Sequence, residues 1–220
     1  MTLAREVLGG FMGEVKAQRR WSQRRDSDRA QQAEATRQAL IAAARVLFAE
    51  RGYHGVGVRD VTARAGVTRG ALGHHFSGKE DLFLAVFDAV EHELIASGAS
   101  QTADPSDLDA WSRFRAGVQA YLDAVMRPDV QRITLIDAPA VLGWKRWRAL
   151  EEAYSFGGLI AVLGLAMEQG LIRNRPAAPL AHLILGSVIE AALLIAHSDD
   201  PGQCRRDLGD ALDDLLQSLA

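Results

Sequence analysis

From Thr36 onward the apolar positions fall at helical spacing: Leu40, Ile41, Ala44, Leu47 and Phe48 share one face, with Thr36 placed to cap the helix and Gly52 to end it. Val58–Ala65 has room for about two turns, with Val58, Val61 and Ala65 inward, and Gly66 supplies the positive φ that turns the chain sharply. Thr68 then caps a third short helix. Three short helices joined by a tight glycine turn predict a helix-turn-helix unit, whose second member enters the major groove of DNA. Beyond Gly78 a longer stripe, Leu82, Phe83, Val86, Phe87, Val90 and Leu94, predicts a helix from Lys79 to about Ser97 that connects this unit to the rest.

The remainder also reads as helices. Asp104 and Pro105 are placed to open one that runs past Trp111, Phe114, Val118, Tyr121, Leu122 and Val125 to Pro128. Val130–Leu142 contains Pro139 and predicts a broken helix. Trp144–Gln169 is apolar on more than one face and stops at Gly170; Pro179 opens Leu180–Ser198; Leu208, Leu212, Leu215, Leu216 and Leu219 stripe the last helix after the break at 199–202. No strand pattern is visible. The fold class predicted is all-α: an N-terminal three-helix DNA-binding domain over 33–79, preceded by a polar basic extension over 1–32 expected to be mobile, and a C-terminal helical body over 80–220.

Charge sharpens this division. The formal net charge is −3, but residues 1–80 hold 14 Lys/Arg against 8 Asp/Glu and residues 81–220 hold 11 against 20. A basic front can meet a polyanion while an acidic back is repelled from it, so double-stranded DNA is the natural partner. Arg59 and Arg69 stand at or next to helix starts, where backbone amides already favour phosphate, and arginine also grips guanine edges. The single cysteine, Cys204, excludes a disulfide framework and fits a reducing compartment, the cytoplasm. Leu180–Ala196 is the only membrane suspect, short for a span and carrying His182 and Glu190.

Two motifs are false leads. Gly73–Lys79 satisfies the GxxxxGK spacing of phosphate loops, yet a helix precedes it, Glu80 follows it and Phe76 intrudes. Adjacent His74 and His75 point about 100° apart on a helix and cannot face one ion without further ligands. No nucleophile elbow, zincin motif or dinucleotide fingerprint is present, so no enzyme activity, metal or cofactor is expected.

Thr36-Arg37 through Ala44, Leu47-Phe48, Gly52-Tyr53, Val58-Arg59-Asp60-Val61, Ala65-Gly66-Val67-Thr68, Gly70-Ala71-Leu72, His75-Phe76 and Lys79-Glu80-Asp81-Leu82 together resemble the tetracycline-repressor (TetR) family. The resemblance implies a homodimer with a ligand-receiving C-terminal domain, a repressor released from a palindromic operator when a small molecule binds. It directs attention to Arg59, Thr68, Arg69, Gly70, Gly73, His74, His75 and Lys79 as DNA contacts. Gly73 departs from the pattern, which puts a phosphate-contacting tyrosine there, and Gly57 replaces the usual Ser/Thr cap. The arginines of 1–32 are expected to replace those lost phosphate contacts.

In the body, Phe87, Trp111, Phe114, Tyr121, Trp144, Trp147 and Tyr154 either pack the core or line a pocket for an apolar or aromatic effector, with His182, Glu190 and His197 as possible polar groups. The last two helices, rich in Leu, Ala and Gly186, suit a homodimer interface through 179–220.

Overall fold

The computed structural model describes the backbone of residues 2–101 and 108–220 and the side chains of 27–97 and 108–220. Every regular element among the described residues is helical: α1 (Thr2–Arg51), α2 (Val58–Ala65), α3 (Arg69–His75), α4 (Lys79–Gln101), α5 (Ala110–Val125), α6 (Pro128–Val130), a π-helical segment (Gln131–Asp137), α7 (Ala138–Leu142), α8 (Trp144–Glu168), α9 (Ala177–Ala196) and α10 (Pro201–Gln217).

The expected helix start at Thr36 is not a start. α1 runs unbroken from Thr2, and the Thr36 hydroxyl donates to the Gln32 carbonyl at 2.8 Å instead of accepting an N-cap bond. The preceding residues 29–35, Arg-Ala-Gln-Gln-Ala-Glu-Ala, are strong helix formers, and that propensity outweighs a cap signal inside the run. The predicted face of α1 is buried as drawn: Leu40, Ala44, Leu47 and Phe48. Phe48 meets Phe83 of α4 edge to face at 5.4 Å, and Val56, Val61, Leu72 and Phe76 close the small core of the N-terminal bundle.

α4 carries its predicted stripe, Leu82, Phe83, Val86, Phe87, Val90 and Leu94, at 6% exposure or less. It packs on α1 at one end and on α5 further along. Asp109 caps α5, its carboxylate accepting from Ser112 N at 2.8 Å; the opening expected at Asp104-Pro105 lies outside the described residues. α8 and α9 pack on each other, and α10 lies on α9 and α5. α9 begins at Ala177, two residues before Pro179, which occupies its first turn. Asp200 caps α10 with Pro201 at the first position. Both α8 and α9 are long and apolar enough to cross a membrane by length and composition, so Leu180–Ala196 is not alone in that.

The broken helix predicted over Val130–Leu142 takes a definite form. Pro139 has no N–H to offer the carbonyl four residues back, and the preceding segment widens into a π-helix from Gln131 to Asp137. Gly143 at φ 79° then turns the chain into α8.

Candidate functional site: an exposed basic surface and an apolar cavity

Gly66 adopts φ 68° and ψ 29°, and this left-handed turn sets α3 against α2. The Thr68 side chain accepts from Ala71 N at 3.2 Å, leaving its hydroxyl proton free to donate to a phosphate. Gly57 has no side chain to cap α2, but Asp60 Oδ2 accepts from Gly57 N at 2.8 Å, half of a capping box. On these two helices Arg59, Thr68, Arg69, Gly70, Gly73 and His74 are exposed, as is Arg64. Among the described residues no acidic group pairs with Arg59, Arg64 or Arg69, and all three are exposed. At Gly73 an added Cβ would meet nothing within 4 Å, so the surface is open where the resemblance expects a tyrosine.

Two predicted DNA contacts are held differently. Lys79 is half-buried, its Nζ 4.1 Å from the centre of the Tyr53 ring, and burial lowers its pKa against the pull of Asp137. His75 is also half-buried, its ring beside that of Phe76.

The bundle is tied to the body by polar clamps. Asp137, at the end of the π-helical segment, accepts from the Tyr53 backbone N–H at 2.6 Å and pairs with Arg132 at 3.2 Å. Arg45 of α1 bonds Glu93 of α4 at 2.6 Å and Asp129 at 2.7 Å, and Arg127 bonds the same two carboxylates at 2.6 and 2.9 Å. These arginines hold Glu93 and Asp129 below the usual carboxylate range, against the burial of Asp129, which acts the other way.

In the body, α4, α5, α8 and α9 line a cavity of about 560 Å³ that is partly open to solvent, a size suited to a small organic ligand. Of the seven predicted aromatics, Phe114, Tyr121 and Tyr154 line it. The other four do not: Phe87, Trp111 and Trp147 are core residues at 4% exposure or less, and Trp144 is 59% exposed outside it. Phe87, Trp111 and Trp147 pack between helices instead, and Trp144 stands in solvent. Nor do His182, Glu190 and His197 reach the wall; all three are exposed, and His182 lies 3.9 Å from Glu152.

Sequence reasoning missed the polar groups that do line the cavity, Glu91 and Glu151, at 5% and 4% exposure. A signal was present. Glu91 interrupts the apolar stripe of α4 four residues after Phe87 and three before Leu94, and Glu151 stands between Trp147 and Tyr154 at the same offsets. Burial, with the neighbouring Glu151 charge second, raises the Glu91 pKa, and burial pushes Glu151 up to about 7. Burial and these two carboxyls also raise the Tyr121 hydroxyl, while the Tyr154 hydroxyl donates to Asp88.

Comparison with known proteins agrees with this geometry. Residues 40–86 match the bacterial regulatory proteins of the tetR family, and residues 111–219 match the tetracyclin repressor-like C-terminal domain. A TetR-family transcriptional regulator from Pectobacterium atrosepticum, known from its crystal structure, is 37% identical over 86% of this chain and 95% of its own, with a TM-score of 0.71. The chain belongs to the TetR family of transcriptional regulators. It is a DNA-binding regulator and not an enzyme. The transposon Tn10 TetC protein of Escherichia coli is 26% identical over 72% of this chain and 79% of its own length. The HTH-type transcriptional repressor AcnR of Corynebacterium glutamicum is 49% identical over 42% of this chain and 54% of its own, and the activator FasR of Mycolicibacterium smegmatis 42% over 40% and 39%. Arg59, Arg64 and Arg69 lie within the residues of the tetR-family match, and the α5, α8 and α9 walls of the cavity lie largely within the C-terminal match.

Proposed function

We propose that this TetR regulator is a cytoplasmic homodimer that represses transcription from a palindromic operator and releases it when a small apolar or aromatic effector enters the cavity. One observation carries the reading: α4 serves both cores. Its first turns, through Leu82 and Phe83, complete the bundle that holds α2 and α3, and its later turns, through Glu91, Leu94 and Ile95, form a wall of the cavity. An effector that binds one position of α4 better than another therefore shifts the reading helices, and linkage lowers DNA affinity in return.

Dimerisation is supported by apolar surface left on the last two helices, where Leu183 is 70% exposed and Leu194 and Leu215 each 47%. Pairing α9 and α10 with a second copy forms a four-helix interface with two-fold symmetry. Two α3 helices about 34–36 Å apart would then read half-sites one helical turn apart. In this reading residues 33–79 are the DNA-binding domain, 80–220 the ligand and dimer domain, and the arginines of 1–32 add phosphate contacts. Arg59, Thr68, Arg69, Gly70, Gly73 and His74 meet DNA directly, with His75 and Lys79 reaching it after small side-chain movements.

Gel shift with DNA flanking its own gene tests the reading. A specific complex is expected, and Arg69→Ala should lower the magnitude of the log–log salt slope by about 1 per subunit. Absence of any sequence-specific shift at moderate salt refutes DNA reading. A reporter that falls rather than rises when the regulator is deleted would replace repression with activation, the sign that the name of FasR carries.

A further inference from the structure

The cavity has an unusual chemical composition for an apolar space. Its walls are Leu94, Val118, Leu159, Ile184 and Ile189 with the rings of Phe114, Tyr121 and Tyr154, and yet two carboxyl groups, Glu91 and Glu151, are buried in it. Among the described residues, Oε1 of Glu151 has no hydrogen-bond partner. Burying one unpaired carboxylate is expensive, and burying two that repel each other is more so, so burial favours the protonated form of the pair.

The titratable and charged groups around the pair do not relieve it. From α8, the Arg148 charge and the Trp147 indole both draw Glu151 toward ionisation, and its burial outweighs them. From α5, Tyr121 faces both carboxyls, and the Arg113 guanidinium on the cavity wall donates to the Leu108 carbonyl at 2.5 Å. From α8 again, the Tyr154 hydroxyl donates its hydrogen bond to Asp88, outside the carboxyl pair. The lining residues of α9, Ile184, Leu185, Val188 and Ile189, carry no charge. What would satisfy the site is a positive charge on a hydrocarbon frame. Carboxylates attract it directly, aromatic faces attract it through their quadrupoles, and the apolar walls accept the rest.

We infer that the cavity recognises a lipophilic cation, an amine or quaternary ammonium on an aromatic or aliphatic body, whose charge meets the Glu91 and Glu151 carboxyls. The inference rests on the reading of the body as a ligand receiver and adds the sign of the ligand's charge. Because the empty pair holds proton where an ordinary glutamate would not, a fixed cation displaces it: cation and protonated pair give the complex plus a proton released to solvent.

The test uses the full-length protein as purified and three naphthylmethyl probes by calorimetry. These are (2-naphthylmethyl)trimethylammonium, its uncharged isostere 2-neopentylnaphthalene, and 2-naphthylacetate as the anion. The cation should bind at least about tenfold tighter than the isostere, tighten as pH rises from 6 to 8, and release about one proton, read from buffers of different ionisation heat at pH 6.5. Glu151→Gln and Glu91→Gln should each weaken the cation by about 10- to 100-fold while leaving the isostere within about twofold. Binding of the isostere as tightly as the cation, or tighter binding of the anion, overturns the inference while the cavity remains a ligand site. No binding by any of the three overturns the ligand-receiving reading and the inference with it. Should either variant misfold, the ranking of the three probes and the proton count on the unaltered protein still decide.

Discussion

Asp137→Ala cuts the tie between the π-helical segment and the turn that follows α1, and its cost can be worked from the contacts. Asp137 is 7% exposed, and its Oδ2 accepts from Tyr53 N at 2.6 Å. A hydrogen bond to a charged acceptor contributes about 1.5–3 kcal/mol, and its removal strands a backbone N–H. The second contact, Arg132 Nε to Oδ1 at 3.2 Å, involves an arginine side chain 43% exposed, and solvent screening holds it below about 1 kcal/mol. Together these give a loss of about 2–4 kcal/mol, or roughly 5–15 °C in Tm for a chain of this size. Asp137→Asn keeps an acceptor and should lose about 1 kcal/mol, and Arg132→Ala less than that. Thermal unfolding measures the order Ala, Asn, Arg132→Ala. Amide exchange at Tyr53 then localises it, because the donor freed is that one N–H. If Asp137→Ala unfolds within about 1 kcal/mol of wild type, or the Tyr53 amide exchanges no faster, the clamp is not a structural tie.

Glu151 gives a pH dependence of definite sign. Its carboxyl keeps its proton to about pH 7 in the folded protein against an ordinary 4.5, so folding retains a proton and the stabilisation is complete only below that lower value. Stability should therefore fall as pH rises from about 5 to 7, by at most about 1.4 kcal/mol per unit from this group, and Glu151→Gln should flatten the fall. Urea midpoints at pH 5, 6 and 7 check this, and a wild-type midpoint constant over that range contradicts it. Gly66→Ala places a Cβ in open space but at φ 68°, so only backbone strain acts, about 1–2 kcal/mol; an unchanged denaturation midpoint would remove the left-handed turn from the argument. Deleting residues 1–30 should weaken operator binding and flatten its salt slope, and an equal slope in the shortened protein excludes phosphate contacts from that segment.

The legible parts of the chain were those where one local rule decided the outcome. Gly66 and Thr68 turned and capped as read, because the conformation each requires is set within four residues. The α4 stripe was legible because six apolar positions leave a single inward face. Thr36 misled because a cap signal is weak against a flanking run of Ala, Gln, Glu and Arg. The aromatics of the body were half legible for a different reason. Periodicity says that Trp147 and Tyr154 are inward on α8, but only the neighbours decide that Trp147 meets packed core at 0% exposure and Tyr154 meets a cavity. Glu91 and Glu151 were readable as violations of the pattern, polar residues at apolar offsets, and such local conflicts are where functional groups concentrate.

The π-helical segment joins the two halves of the molecule through a register effect that no α-helical reading could supply. Residues five apart lie well round the cylinder from each other in an α-helix, but in a π-helix they return to the same side. Arg132 and Asp137 are five apart, and both reach the turn at Gly52 and Tyr53: Asp137 through the Tyr53 N–H, Arg132 by lying over Gly52, where an added Cβ would fall 1.9 Å from Nη2. On α4 the complementary arrangement holds. Glu91 and Glu93 are two residues apart, hence on opposite sides of one turn, the first in the cavity and the second gripped by Arg45 of α1 and Arg127. A ligand that pulls on Glu91 therefore acts against the clamp on Glu93 across the width of a single helix. The energy available to the reading helices is then the difference between how well that ligand fits α4 in its clamped and displaced positions, and a ligand indifferent to the two moves nothing however tightly it binds.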